Sequence, residues 1–401
     1  MEEGSSYWKQ NLKVAWLGNF LTGTSFTLVM PFISVFVEEL GVGPGQVEYY
    51  AGLAVSANAL AAALMAPIWG SLADRYGRKP MMVRAAFAMI FTMGGMAFVP
   101  NVFWLIVLRI LNGMFTGYIP NATALIASQV PKDKTGYALG TLSTGAVAGN
   151  LIGPTLGGIL AEMFGVHNVF LLVGLLYLLV VLLTVFFIRE DFVPVKKGEE
   201  MTISQVFAGV KDKQMLIGLF ITSMIILTAA QSVVPILTLY VRHLGQVDNL
   251  LFAAGLIISL PGLASLFMSG PLGKLGDRIG NHRLLLLALA YSLLINVLCA
   301  FATSPVQLGF LRFMYGFGTG ALLPSVNSLL TKLTPKAGIS RIFSYNQIFN
   351  NMGSVFGPML GSAVAAHYGY DWVFYVSSGL VMVNLIWSFI NFRKYVKVRD
   401  I

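Results

Sequence analysis

Two arginines, Arg109 and Arg312, stand inside otherwise apolar stretches of this chain, 203 residues apart. A charge at membrane depth costs roughly 2.5–3.5 kcal/mol on insertion scales, so each should face protein and find partners. Asn19, Thr22 and Asn112 are the polar candidates for Arg109. A guanidinium so placed either joins a proton-coupling network or cavity, or ties helices together by hydrogen bonds; both readings stand, for Arg312 as well. Acids are sparser. No Asp or Glu lies in the middle of an apolar stretch; the nearest are Glu38, Glu39, Glu48 and Glu162 toward one side, and Asp74 and Asp277 toward the other. Proton coupling needs a group that changes protonation between states. Glu48, Glu162, Asp74 and Arg109 are therefore the coupling candidates.

Asp74 belongs to a pattern that occurs twice. Gly70-Ser-Leu-Ala-Asp74-Arg75-Tyr-Gly77-Arg78-Lys79-Pro80 returns as Gly273-Lys-Leu-Gly-Asp277-Arg278-Ile-Gly280-Asn281-His282-Arg283. Each copy is a short charged hinge between two apolar segments. Gly70 and Gly77 should permit a tight turn and close helix approach. Asp74 can face a helix N-terminus, where a carboxylate is favoured. Arg78 can pair with an acid such as Asp133. Asn281 and His282 replace Arg78 and Lys79, so the second hinge should hold less firmly. The repeat runs further: Arg109, Gly113 and Gly117 recur as Arg312, Gly316 and Gly320, and Gly149, Gly153-Pro154 and Gly157 as Gly353, Gly357-Pro358 and Gly361. A duplicated hinge in an apolar chain implies two related halves packed in a membrane, the build of a transporter.

Composition requires the same setting. Of 401 residues, 56% are hydrophobic and 11% charged, where a soluble domain carries about 25% charged residues. Stretches of about 20 apolar residues span a bilayer. Twelve can be read, near 14–37, 47–69, 81–99, 103–128, 137–163, 167–188, 214–241, 249–271, 284–302, 306–330, 342–365 and 371–392. The expected fold is all-α: twelve transmembrane helices in two pseudo-symmetric six-helix halves, 1–188 and 214–401, joined by a polar linker at 189–213. A surface helix near 202–211 is expected in that linker. With twelve spans, Lys and Arg gather on the side of both termini and only Arg242 faces the other, which places both termini in the cytoplasm. The net charge of +9 is thus topology signal and anionic-lipid contact, not a nucleic-acid surface. The lone Cys299 excludes an intramolecular disulfide, the four histidines lack ligand spacing, and neither a metal nor a cofactor is expected. No cleaved leader is expected, because no small-residue cleavage site follows the short tail.

Gly149, Gly153 and Gly157 lie four apart on one helix face, with Pro154 to bend the helix. Such a kinked seam is expected between the halves. Aromatic and amide residues are the candidate cavity lining: Asn19, Phe20, Phe26, Phe115 and Tyr118 in the first half, and Gln231, Tyr315, Tyr345, Asn346, Phe349 and Asn350 in the second. They suit flat amphiphilic ligands through stacking and cation–π contact, and each also suits ordinary core packing.

Gly70 to Pro80 resembles the loop signature of the major facilitator superfamily, between its second and third helices. The Arg109–Gly113 stretch resembles that family's second motif. Gly149-Asn-Leu-Ile-Gly153-Pro154-Thr-Leu-Gly157-Gly158 resembles the fifth-helix signature of its drug:proton antiporters. Asn11 to Gly23, Pro120 to Pro131 and Pro335 to Ser340 are similar to bacterial multidrug efflux transporters within it. The resemblance covers the whole chain. It implies a monomer in a bacterial cytoplasmic membrane that exports drugs, fluoroquinolones among them, against protons, and so confers antibiotic resistance. It implies that Gly70, Asp74, Arg75, Gly77, Arg78 and Asp277 latch the halves on the cytoplasmic side. Many such antiporters carry an acid within the first or fourth helix, which this chain lacks. A narrow exporter of a metabolite such as a sugar is the alternative. A receptor or embedded enzyme would need a signalling domain or a catalytic constellation, and neither is evident; no enzymatic activity is expected.

Overall fold

Apolar runs bounded by Gly, Pro and charge leave little choice but helices that satisfy their own backbone in lipid. A computed structural model describes residues 7–43, 45–131, 133–192, 212–334 and 338–392. Lys132, Lys196, Lys197, Lys211, Lys336, residues 335–337, the cations from Arg393 onward and the surface helix expected near 202–211 lie outside the described residues.

Among those residues there are helices and short 3₁₀ turns, and no strand. The first unit contributes α1 (Trp8–Leu28), α2 (Ile33–Glu39), most of α3 (Val47–Tyr76), α4 (Arg78–Gly95), α5 (Val102–Phe115), α6 (Tyr118–Gln129), α7 (Thr135–Phe164) and α8 (Val166–Phe187). The second contributes α9 (Lys213–Ser232), α10 (Leu237–His243), α11 (Leu250–Ile279), α12 (Asn281–Ala300), α13 (Pro305–Leu333), α14 (Ile339–Tyr368) and α15 (Tyr370–Phe392). With α1–α2, α5–α6 and α9–α10 each read as one crossing, twelve spans result. Ten are apolar enough to cross a membrane on hydropathy alone. The other two, α13 and α14, are 29 and 30 residues long.

Contacts group residues 1–42 with 57–198, and 43–56 with 199–401. The first turns of α3 therefore pack within the second unit. The duplication is visible in backbone detail. Span 1 passes through a 3₁₀ turn at Met30–Phe32 and span 7 through one at Val234–Ile236, each with a proline at its start, Pro31 and Pro235. Proline lacks the N–H of a continuing ladder, so the helix tightens or bends there.

The glycine stripe packs inside one unit. A Cβ at Gly149 would meet the Phe20 carbonyl and the Thr24 amide; at Gly153, the Thr24 carbonyl and Thr27 hydroxyl; at Gly157, the Leu28 carbonyl. Helix α7 thus lies backbone to backbone on α1, and Gly158 is also buried. This corrects the expectation of a seam between halves: both partners belong to the first unit. The second copy repeats it, with Gly353, Gly357 and Gly361 on Met224, Thr228 and Ser232 of α9.

Candidate functional site

Span 4 is not one helix. Its ladder stops at Phe115, Thr116 is extended, Gly117 takes φ +133°, and α6 starts at Tyr118. Pro120 favours the stop without forcing it: its ring would clash with the carbonyl four residues back, on Thr116, and it fits the first turn of a new helix. The freed carbonyls find other donors. The Trp69 indole donates to Met114 at 2.6 Å, and Arg84 Nη2 donates to Thr116 at 3.4 Å. The Arg84 guanidinium lies 3.5 Å from the centroid of the Trp69 ring, with its Nε and Nη1 buried and unbonded.

Beside the break is a cavity of about 320 Å³, within the first unit. Phe26, Met89, Tyr118 and Tyr177 give it aromatic and thioether walls, and Thr22, Thr116 and Asn150 give it polar groups. Tyr118 is fixed by a 2.9 Å hydrogen bond between its hydroxyl and that of Thr184. Phe26 is exposed. Of the cavity residues expected in this unit, Phe26 and Tyr118 line the space. Phe20 instead stacks on Trp16 at 5.8 Å, and Phe115 sits 6.0 Å from Trp69. Asn19 is buried, and its side-chain oxygen has no hydrogen-bond partner.

Arg109 is 1% exposed, and its Nε and Nη2 make no hydrogen bond. Asn112 does not serve it. The Asn112 amide donates to Thr92 at 3.1 Å and to the Met89 sulfur at 2.8 Å, and its oxygen accepts from Asn58 at 2.8 Å. Asn58 also donates to the Arg109 carbonyl at 3.0 Å. Asn58 thereby ties α3 to α5.

At the first hinge Gly77 alone makes the turn, with φ +100°. Gly70 lies inside α3 with nothing within 4 Å of its Cβ position, which corrects the expectation of close approach there. Arg78 pairs with Asp74, one turn back, and not with Asp133. Asp74 is thus engaged by a side chain, and the acid at the N-terminus of α4 is another residue. Glu190 accepts from the Arg78 and Lys79 amides at 2.8 and 2.7 Å. Asn11 binds the Arg189 backbone through both its amide nitrogen and its oxygen, at 2.7 and 3.0 Å. Tyr7 donates to Asp191 at 2.8 Å, and that carboxylate raises the Tyr7 hydroxyl above its ordinary pKa. Residues 189–191 therefore knit the ends of spans 1, 3 and 6. Arg75 is exposed, over the Tyr76 ring. In the second hinge Asp277 is exposed, Asn281 donates to Ser328 at 2.9 Å, and His282 is buried against Phe392.

Among the acids, Glu162 is exposed near the end of α7. Glu48 is 9% exposed, and Tyr370 donates to its Oε1 at 2.7 Å while Oε2 has no hydrogen-bond partner. Two further contacts of the same stretch lie within the second unit: Gly52 abuts Ser362 and the Pro358 carbonyl, and Ser56 donates to the Val355 carbonyl at 2.7 Å. The remaining candidates are distributed through that unit. Arg312 lies over the Tyr315 ring at 5.2 Å, Phe349 stacks on Phe220 at 5.3 Å, and Gln231 packs on Gly357. Tyr345 joins an apolar core; the side-chain oxygens of Asn346 and Asn350 are buried without a hydrogen-bond partner. Sequence reasoning passed over Arg84, Trp69, Asn58, Glu190 and Tyr370. Pro120 after Thr116-Gly117 was the one signal that could have exposed the break.

Twelve helical spans among the described residues, built from a duplicated unit and with a cavity beside an interrupted span, define a multi-pass membrane transport protein. Residues 15–254 and 219–399 match the Major Facilitator Superfamily model, and the chain belongs to that family. Over 98% of its length it is 59% identical to 99% of the multi-drug resistance efflux pump PmrA of Streptococcus pneumoniae serotype 4. It is 47% identical, over 96% of this chain and 94% of the other, to the multidrug resistance protein MdtG of Klebsiella pneumoniae. A solved bacterial homologue of the human lysosomal transporter Spinster shares the fold, with a TM-score of 0.81 at 14% identity over 98% of both chains.

Proposed function

We propose that this transporter exports hydrophobic or amphiphilic drugs across the bacterial cytoplasmic membrane in exchange for protons. The observation that carries this reading is the cavity beside the span 4 break. Its volume suits a small organic molecule. Phe26, Tyr118 and Tyr177 offer ring faces, Met89 an adaptable surface, and Thr22 and Asn150 a few polar anchors. Full-length similarity to proteins named as multidrug efflux pumps supports the same substrate class.

In this reading residues 1–188 and 214–401 are six-helix halves joined at 189–213, with both termini cytoplasmic, and the protein works as a monomer by alternating access. Glu48 is the foremost coupling residue, because its carboxyl is buried and bonded through one oxygen only. Glu162, Asp74 and Arg109 are the other candidates, and the Asp74–Arg78 hinge is the cytoplasmic latch. Fluoroquinolones belong among the substrates.

The test is ethidium and norfloxacin transport into inverted vesicles under an imposed pH gradient. The expected result is uptake that collapses when the gradient is dissipated. Saturable transport of one polar solute, with no effect on either compound, would replace this reading with a metabolite exporter.

A further inference from the structure

A second pocket, of about 440 Å³, opens where α1 and α7 begin. Trp8, Lys9, Leu12, Lys13 and Trp16 line it from α1, and Tyr137 and Thr141 from α7. Both helices start on the same side of the membrane, because spans 1 and 5 are both odd-numbered crossings. Trp8 opens the apolar segment Trp8–Glu39, so the pocket sits at the edge of the hydrocarbon core.

The lining pairs exposed cations with buried apolar groups. Lys9 and Lys13 are exposed, and Lys9 Nζ lies 5.9 Å from the Trp8 ring centroid. Tyr137 is 70% exposed. Trp8 and Leu12 are buried, and Trp16 is held by a 2.9 Å hydrogen bond from its indole to Thr144 and by its stack on Phe20. Among the described residues, no acid lines the pocket. Two exposed cations and an exposed phenol thus border an apolar floor of Trp8, Leu12 and Trp16. Trp and Tyr favour the headgroup depth of a bilayer, and basic groups there are drawn to an anionic leaflet.

We propose that this pocket holds one anionic phospholipid, its phosphate between Lys9 and Lys13 and an acyl chain along Leu12 and Trp16. Charge complementarity selects the anionic headgroup, and the apolar floor selects a lipid over a free anion. The bound lipid bridges the starts of α1 and α7, the pair that the glycine stripe brings backbone to backbone. The inference rests on membrane insertion alone and not on the transported substrate.

The experiment is native mass spectrometry of the full chain, extracted from vesicles of equal phosphatidylglycerol and phosphatidylcholine. Retention of one phosphatidylglycerol in preference to phosphatidylcholine is expected. Lys9→Gln with Lys13→Gln should lower that preference about thirtyfold, and Lys9→Arg with Lys13→Arg should keep it. Equal retention of the two lipids by the unaltered protein, a readout that needs no variant, overturns the proposal. So does unchanged preference in the double glutamine protein. Displacement of the lipid by inorganic phosphate at modest concentration also overturns it, because the site would then be one for a free anion.

Discussion

The guanidinium of Arg84 lies 3.5 Å from the centroid of the Trp69 ring, and each of the two donates to one of the carbonyls left free where span 4 breaks. At the offset of 203 the second half has Leu287 and Leu272 instead. There α13 runs unbroken through Pro324, and the two leucines line an apolar cavity of about 310 Å³. Proline alone therefore does not interrupt the span. The interruption is kept where a flat cation and an indole replace the lost partners.

Arg84→Ala should consequently weaken the folded protein by about 1–3 kcal/mol, from one charged hydrogen bond and one cation–π contact. Arg84→Lys should recover little, because an ammonium cannot lie flat on the indole and also reach Thr116. Thermal unfolding in detergent, with ethidium transport in parallel, measures both. An alanine variant of unaltered stability and transport would show that the break holds itself.

Glu48 and Tyr370 make a second relationship, across 322 positions of sequence. Glu48→Gln keeps an acceptor for the Tyr370 hydroxyl but cannot exchange a proton. Its expected phenotype is normal membrane insertion, retained downhill drug movement and loss of accumulation driven by a pH gradient. Tyr370→Phe leaves the buried carboxyl with no bond and should destabilise by about 1–3 kcal/mol. Full gradient-driven transport by Glu48→Gln would move the coupling role to Glu162 or Asp74.

The duplicated architecture was legible because it depends on counts and spacing. Hydropathy marks the spans, and glycines four apart mark the faces that touch. What stayed hidden were pairings that spacing cannot reveal. Arg84 reads as one more cytoplasmic cation until the fold brings Trp69 beneath it. Glu190 sits in a polar run and looks like linker until it meets the Arg78 and Lys79 amides. The glycine seam was assigned to the wrong neighbour for the same reason: a stripe of small residues announces close packing without naming its partner.

The hinge separates two acids by role. Glu190 caps the N-terminus of α4, where charged hydrogen bonds to backbone amides contribute about 1.5–3 kcal/mol each before screening at this partly exposed end. Glu190→Ala should therefore lower stability. Asp74→Asn gives up only an exposed ion pair, worth less than about 1 kcal/mol, and should leave stability nearly unchanged while abolishing transport. Unfolding temperature and efflux measured together distinguish the two. Active Asp74→Asn protein would remove the latch from the mechanism.

The stripe on α7 supplies the sharpest contrast. A methyl group at Gly157 would fall on the Leu28 carbonyl, and backbone cannot rotate away as a side chain can. Gly157→Ala must push α1 from α7 and should cost about 1–3 kcal/mol, with less folded protein in the membrane. Gly361→Ala, against the Ser232 carbonyl on α9, should behave alike. Gly140 lies on the same helix α7 with nothing within 4 Å of its Cβ position. Gly140→Ala should gain about 0.5–1 kcal/mol from helix propensity. Fluorescence-detected size-exclusion of the three variants after graded heating gives the comparison. If Gly157→Ala and Gly140→Ala melt together, the backbone contact between spans 1 and 5 is not what holds the first unit tight.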